Sequence, residues 1–179
     1  MIETIKNFLP YLVLFSHALL AFLVVAVIFR SSFGGKVVDF IGKYSLLFGV
    51  LISLGAVAGS LFYSEIVGYE ACVLCWWQRV FLYPQLVLFS AALWRSDRSV
   101  FNYSIALSLL AGVIALYQAY VYWGGASLLP CTAAEGACSK IYVMEFGYIT
   151  IPVMSLTVIL YYFLLAWINR LYRNENRNA

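Results

Sequence analysis

The chain has 179 residues, of which 64% are hydrophobic and only 11% charged. That is too little charge to cover a water-soluble surface of this size, so a soluble globular protein is excluded and the lipid bilayer becomes the solvent. The net charge of +3 is small and not gathered into a basic patch, which leaves no electrostatic footprint for nucleic acid.

Windows of about 20 residues almost free of charge recur, the length a helix needs to cross roughly 30 Å of hydrocarbon. Backbone groups in lipid must be satisfied internally, and continuous apolar runs exclude the alternating pattern of barrel strands. Five helical spans are predicted: Tyr11 to Phe29, Tyr44 to Tyr63, Trp76 to Leu93, Tyr103 to Trp123 and Tyr148 to Ile168. The first is read as a retained helix, because it is long, its basic flank is weak and no small-x-small cleavage site follows near Arg30. The second carries Gly55-x-x-x-Gly59, which either lets two helix backbones approach or merely faces lipid.

Lys and Arg placement sets the orientation. Arg30, Lys36, Lys43, Arg95, Arg98, Arg170, Arg173 and Arg177 fall on one face, predicted cytoplasmic, whereas Lys6 and Lys140 stand opposite with five glutamates. The N-terminus and both cysteine-bearing loops are therefore expected outside, the C-terminus inside.

Outside a bacterial cytoplasm disulfides are permitted. Cys131 and Cys138, six residues apart around Gly136, either staple a loop or exchange electrons. Cys72-Val73-Leu74-Cys75 encloses too short a loop for an efficient staple, and Cys-x-x-Cys at a helix start is the usual setting of exchangeable thiols. The third helix is expected to begin at Cys75 or Trp76, where free N–H groups and the helix dipole favour a thiolate. Arg79 follows one turn later on the same face, either snorkelling to headgroups or serving the Cys75 thiolate and a bound ring carbonyl.

Cys72-Val73-Leu74-Cys75-Trp76-Trp77-Gln78-Arg79, followed two spans later by a second outward cysteine pair, resembles the DsbB/BdbC family of membrane thiol oxidases. The resemblance covers about Tyr44 to Ile168. It implies an all-α integral membrane protein, a four-helix bundle with one additional N-terminal transmembrane helix, in the bacterial cytoplasmic (inner) membrane. Residues 1–43 would form the extra helix and a basic loop, 44–170 the core and 171–179 a basic tail. The family pattern further implies that a DsbA-like, thioredoxin-fold oxidase passes two electrons to Cys131 and Cys138. From there they go to Cys72 and Cys75, and finally to a membrane quinone, ubiquinone or menaquinone, with Cys75 and Arg79 facing it. The chain departs from the family in its extra helix, in the short spacing of its second pair, and in Gln78, where some relatives are acidic.

Several other residues carry weaker signals. Gly124 and Gly125 supply either a hinge or a turn, and residues 139–146 form either a surface-lying segment or a loop. His17, the one histidine, is read as a helix-packing hydrogen bond. Among Tyr117, Gln118, Tyr120, Tyr122 and Trp123, interfacial anchoring accounts for most, with Gln118 or a tyrosine a candidate for the quinone pocket. Two other functions compete. A vitamin K epoxide reductase-like enzyme would place its loop pair before Cys-x-x-Cys, the reverse of the order here. Four thiolates could instead hold zinc in a structural protein, which leaves Arg79 without a role.

Overall fold

The computed structural model describes residues 2–30, 34–126 and 141–178. Six α-helices succeed one another there: α1 Ile2–Ile28, α2 Gly35–Lys43, α3 Ser45–Leu61, α4 Val73–Arg95, α5 Val100–Tyr122 and α6 Ile151–Asn178. A wider π-helical turn, Phe62–Ile66, closes α3. The protein is an all-α integral membrane protein, as its composition requires. Among the described residues, four segments are long and apolar enough to cross a bilayer: Phe8–Ile28, Ser45–Ile66, Val100–Tyr122 and Ile151–Arg177. At 23 residues α4 is as long as α5, but Gln78, Arg79, Pro84 and Gln85 lower its hydropathy.

Helices α3, α4, α5 and α6 pack each on the next in a closed ring, while α1 leans on α6 and on α2. Phe89 sits at the centre of this bundle, fully buried, with its ring 5.7 Å from Tyr162 and 5.5 Å from Phe101. Lipid offers apolar side chains no less comfort than the core does, so small residues and polar pairs hold such helices together. Ser53 on α3 bonds Tyr162 on α6 at 2.9 Å, and Gln85 on α4 accepts from Ser104 and donates to Ser108 on α5 at 2.5 and 3.2 Å.

Close helix approach, one of the two roles open to Gly55 and Gly59, falls instead to Gly49. A Cβ on Gly49 would lie 2.6 Å from Phe89 Cε1, so α3 meets α4 there, whereas at Gly55 and Gly59 it would touch nothing within 4 Å. The stretch after α1, expected as a basic loop, folds over 35–43 into α2. Val38, Ile41 and Gly42 turn inward at helical spacing there and leave Lys36, Asp39 and Lys43 outward. Residues 171–178 likewise continue α6 instead of forming a separate tail, and Arg30 pairs with Glu175 across to it. Arg98, between α4 and α5, donates to the Gly42 and Lys43 carbonyls at 2.9 and 3.1 Å and to Asn169 Oδ1 at 2.7 Å. One guanidinium thus ties α2 and α6 to the connection between α4 and α5 at this end of the bundle.

His17 makes the expected packing bonds, from Nε2 to Thr157 Oγ1 at 2.7 Å and from Nδ1 to Tyr148 OH at 3.2 Å. Tyr161 OH donates to the Ser16 carbonyl, a second tie between α1 and α6.

Candidate functional site

Cys72 has extended backbone (φ −68°, ψ 168°), and its carbonyl accepts the Trp76 N–H at 3.1 Å. It is therefore the N-cap residue, and α4 starts at Val73, two residues before the earlier of the two expected starts. Leu74, 4% exposed, anchors the first turn. Cys75 occupies that turn, whose N–H groups have no intrahelical partner and carry the positive end of the helix dipole.

The two sulfurs stand 3.1 Å apart. Gln118 reaches from α5 and donates its amide to both, at 3.4 Å to Cys72 and 3.3 Å to Cys75, while its own carbonyl accepts from Gln78 at 2.5 Å. Both glutamines are buried, so their alignment is fixed by the one set of partners within reach. Gln118 stands behind the sulfurs, off the cavity wall; Gln78 is the glutamine that reaches the wall. The Cys75 thiol, one residue ahead of the Trp76 to Leu93 segment, is held below its ordinary value. The causes, in order of size, are the hydrogen bond from the Cys72 side chain, which outweighs burial, then the Gln118 amide, a backbone bond at Cys72 and the Arg79 charge. The Cys72 thiol is correspondingly pushed up, since it keeps the proton the pair shares. The two sulfurs are thus in contact with their acidities driven apart, the arrangement that favours disulfide exchange.

A cavity of about 320 Å³ opens beside the pair, with Cys72, Cys75, Gln78 and Arg79 on one wall. Arg79 donates from Nε to Ser60 Oγ at 3.1 Å, and its guanidinium lies 5.0 Å from the Trp76 ring and 6.0 Å from that of Tyr83. Tyr83 OH also donates to Ser60, at 3.0 Å, so this one serine collects both groups. Gly55, Ala56 and Gly59 of α3 pave another side, Leu9, Val13 and Ser16 of α1 face the same space, and α6 closes it. At the end near the sulfurs the wall is aromatic. Tyr63 stacks on Tyr69 at 5.9 Å, Tyr69 stacks on Tyr142 at 4.8 Å, and Tyr122 joins them.

Of the residues singled out from sequence, Cys72, Cys75, Arg79 and Gln118 come together. Cys131 and Cys138 lie outside the described residues. Among the described residues, no three His, Cys, Asp or Glu gather as a metal site. Gly124, at φ +91°, ends α5, with the Gly125 N–H returning to the Tyr120 carbonyl at 3.0 Å. Residues 145–149 form a tight turn closed by Glu145 and Ile149. Sequence reasoning missed Ser60, Tyr63, Tyr69 and Tyr142 as wall residues. Gln78 facing Gln118 was findable, since an amide inside an apolar span needs a partner.

The family model for "Disulfide bond formation protein DsbB" matches residues 42–169. The SPbeta prophage-derived disulfide bond formation protein B of Bacillus subtilis is 36% identical over 116 residues, 65% of this chain and 78% of that protein. Probable disulfide formation protein C 1 of Bacillus cereus is 34% identical over 119 residues, 64% of this chain and 83% of the relative. A probable disulfide formation protein of Coxiella burnetii is 36% identical over 127 residues, covering 69% and 86%. No solved structure matches the chain.

Proposed function

The chain belongs to the DsbB family of disulfide bond formation proteins, and on that footing we propose that it is a thiol:quinone oxidoreductase which reoxidises a DsbA-like, thioredoxin-fold disulfide donor. One observation carries the reading: two cysteine sulfurs 3.1 Å apart share a wall with a guanidinium on an apolar cavity. A cavity of about 320 Å³ lies in the size range of small-molecule sites, and the absence of any contact to a Cβ at Gly55 or Gly59 leaves room for a flat apolar ring. The residues present therefore fit a quinone, ubiquinone or menaquinone.

The electron path runs by thiol exchange. A thiolate of the reduced partner attacks the Cys131–Cys138 disulfide at Cys131, and the mixed disulfide is resolved by the partner's second thiol. The partner leaves oxidised, with Cys131 and Cys138 as thiols. These reduce the Cys72–Cys75 disulfide by the same two exchanges. The reduced Cys72 and Cys75 would then join again as a disulfide, giving two electrons and two protons to a quinone held in the cavity, which would leave as quinol. Cys75 holds the reactive thiolate at the cavity wall, Gln118 keeps both sulfurs aligned, and Arg79 supplies donors and positive charge to an oxygen that gains electron density.

In this reading the Trp76 to Leu93 segment of α4 also spans the membrane, third of five in chain order, enclosed between α3 and α5. The N-terminus and the cysteine loops face the outside of the bacterial cytoplasmic membrane, and Arg98 with the basic end of α6 faces the cytoplasm. Residues 44–170 are the catalytic core, residues 1–43 an added helix with its connecting segment, and 171–179 a basic end. Purified protein mixed with reduced thioredoxin-fold partner and a soluble quinone is expected to yield quinol and oxidised partner; absence of quinone consumption refutes the assignment. A partner whose second thiol is replaced by serine is expected to be trapped as a mixed disulfide through Cys131.

A further inference from the structure

Two buried side-chain polar atoms among the described residues have no hydrogen-bond partner, the Tyr63 hydroxyl and the Ser155 hydroxyl. Both residues line the cavity beside Cys75. Buried hydroxyls are almost always paired, because taking one from water without a partner is costly, so two such groups on one cavity call for an explanation. The neighbouring hydroxyls on the same wall are satisfied. Ser60 takes Arg79 and Tyr83, Tyr161 donates to the Ser16 carbonyl, and Thr157 donates to the Val153 carbonyl at 2.9 Å.

The two orphans are also held where they are. Tyr63 is 6% exposed, with its ring stacked on Tyr69 and Phe62 edge-on at 5.7 Å, so it cannot swing out to find water. It sits in the π-helical turn Phe62–Ile66, whose extra residue per turn re-aims side chains, a device frequent at functional sites. A serine inside a helix commonly bonds the carbonyl four residues back, as Ser53 does to Gly49 at 2.7 Å and Ser64 to Ser60 at 3.3 Å. Ser155 forgoes that bond.

Building on the quinone reading above, we propose that the Tyr63 and Ser155 hydroxyls are hydrogen-bonding positions for the quinone head group, contributed by α3's closing turn and by α6 and separate from Arg79 on α4. The chemistry suits an acceptor that changes character on reduction. A guanidinium only donates, whereas a hydroxyl donates to a quinone carbonyl and, after rotation, accepts from a quinol O–H. Neither group carries charge, so neither opposes the departure of a neutral product.

The test uses full-length protein in detergent with ubiquinone bearing one isoprene unit as probe, its cysteines oxidised for equilibrium binding and, for single turnover, reduced with excess reductant removed. Tyr63→Phe and Ser155→Ala are each expected to weaken equilibrium binding of the probe about threefold to tenfold, and the half-saturation concentration of a single turnover by the same factor. Thermal stability without quinone is expected to stay level or rise in both variants, because each removes an unpartnered buried hydroxyl; an ordinary core hydroxyl would give the opposite sign. Unchanged probe affinity in both variants overturns the proposal, as does a loss of stability without quinone, which would mark these hydroxyls as structural or water-bound. Wild-type protein that neither binds nor reduces the probe instead overturns the quinone reading beneath it.

Discussion

Replacing Gly49 by Ala places a methyl group against a ring that cannot yield. The new carbon would lie 2.6 Å from Phe89 Cε1, against a normal carbon–carbon contact of about 3.5 Å. Phe89 is wholly buried between Phe101 and Tyr162, so α3 and α4 must part by roughly 1 Å, and overpacking of that kind costs about 1–3 kcal/mol. Losing a helical glycine returns about 0.5–1 kcal/mol, leaving Gly49→Ala destabilising by about 1–2 kcal/mol. Gly59→Ala makes the same chemical change where nothing lies within 4 Å of the new carbon, so only the glycine term of about 0.5–1 kcal/mol remains, with stabilising sign. Reversible unfolding of both variants in mixed micelles, followed by tryptophan fluorescence, measures the difference. Equal effects at the two positions, or a Gly49→Ala protein as stable as wild type, would falsify the account of how α3 meets α4.

Arg79→Ala is expected to raise the quinone concentration for half-maximal turnover about tenfold, by removing a charge-assisted contact, while leaving capture of the thioredoxin-fold partner unchanged; parallel quinone titration and mixed-disulfide trapping separate the two. The Cys75 thiol is held below its ordinary value, so its thiolate persists to lower pH than that of a free cysteine and is protonated as pH falls further. Iodoacetamide labelling of reduced protein, read at Cys75 by peptide mass spectrometry, is expected to show a midpoint below that of a free thiol, and Gln118→Leu to move it upward by removing the amide donor. A midpoint untouched by the substitution removes Gln118 from the electrostatics of the pair. His17→Ala cuts the bonds from α1 to Thr157 and Tyr148, at a cost of about 0.5–1.5 kcal/mol each. Faster proteolysis of α1, with the α3–α6 bundle unaltered, is the expected signature.

The redox pair was legible because its signals are local: Cys-x-x-Cys, the start of a helix and an arginine one turn on are all set by short spacing. The cavity was not, because Tyr63, Tyr69 and Tyr142 meet only when the 141–150 turn folds back over the end of α3. No periodicity encodes that contact. Gly55-x-x-x-Gly59 read equally as a packing motif or a lipid-facing pair and Gly49 carried no signal, yet the close approach is at Gly49. In a bilayer both the core face and the lipid face of a helix are apolar, so sequence hardly distinguishes which glycine points inward. Polar residues within spans were the better guide: Gln78 with Gln118, Gln85 with Ser104 and Ser53 with Tyr162 each proved to face a partner on another helix.

Helix α1 precedes the segment 42–169 that the family model matches, yet Leu9, Val13 and Ser16 line the chamber beside the redox pair. Excising it would exchange a fixed protein surface for fluid acyl chains along one flank. An inhibitor shaped to fit against those three side chains would draw its selectivity from a part of the molecule that the family match does not include.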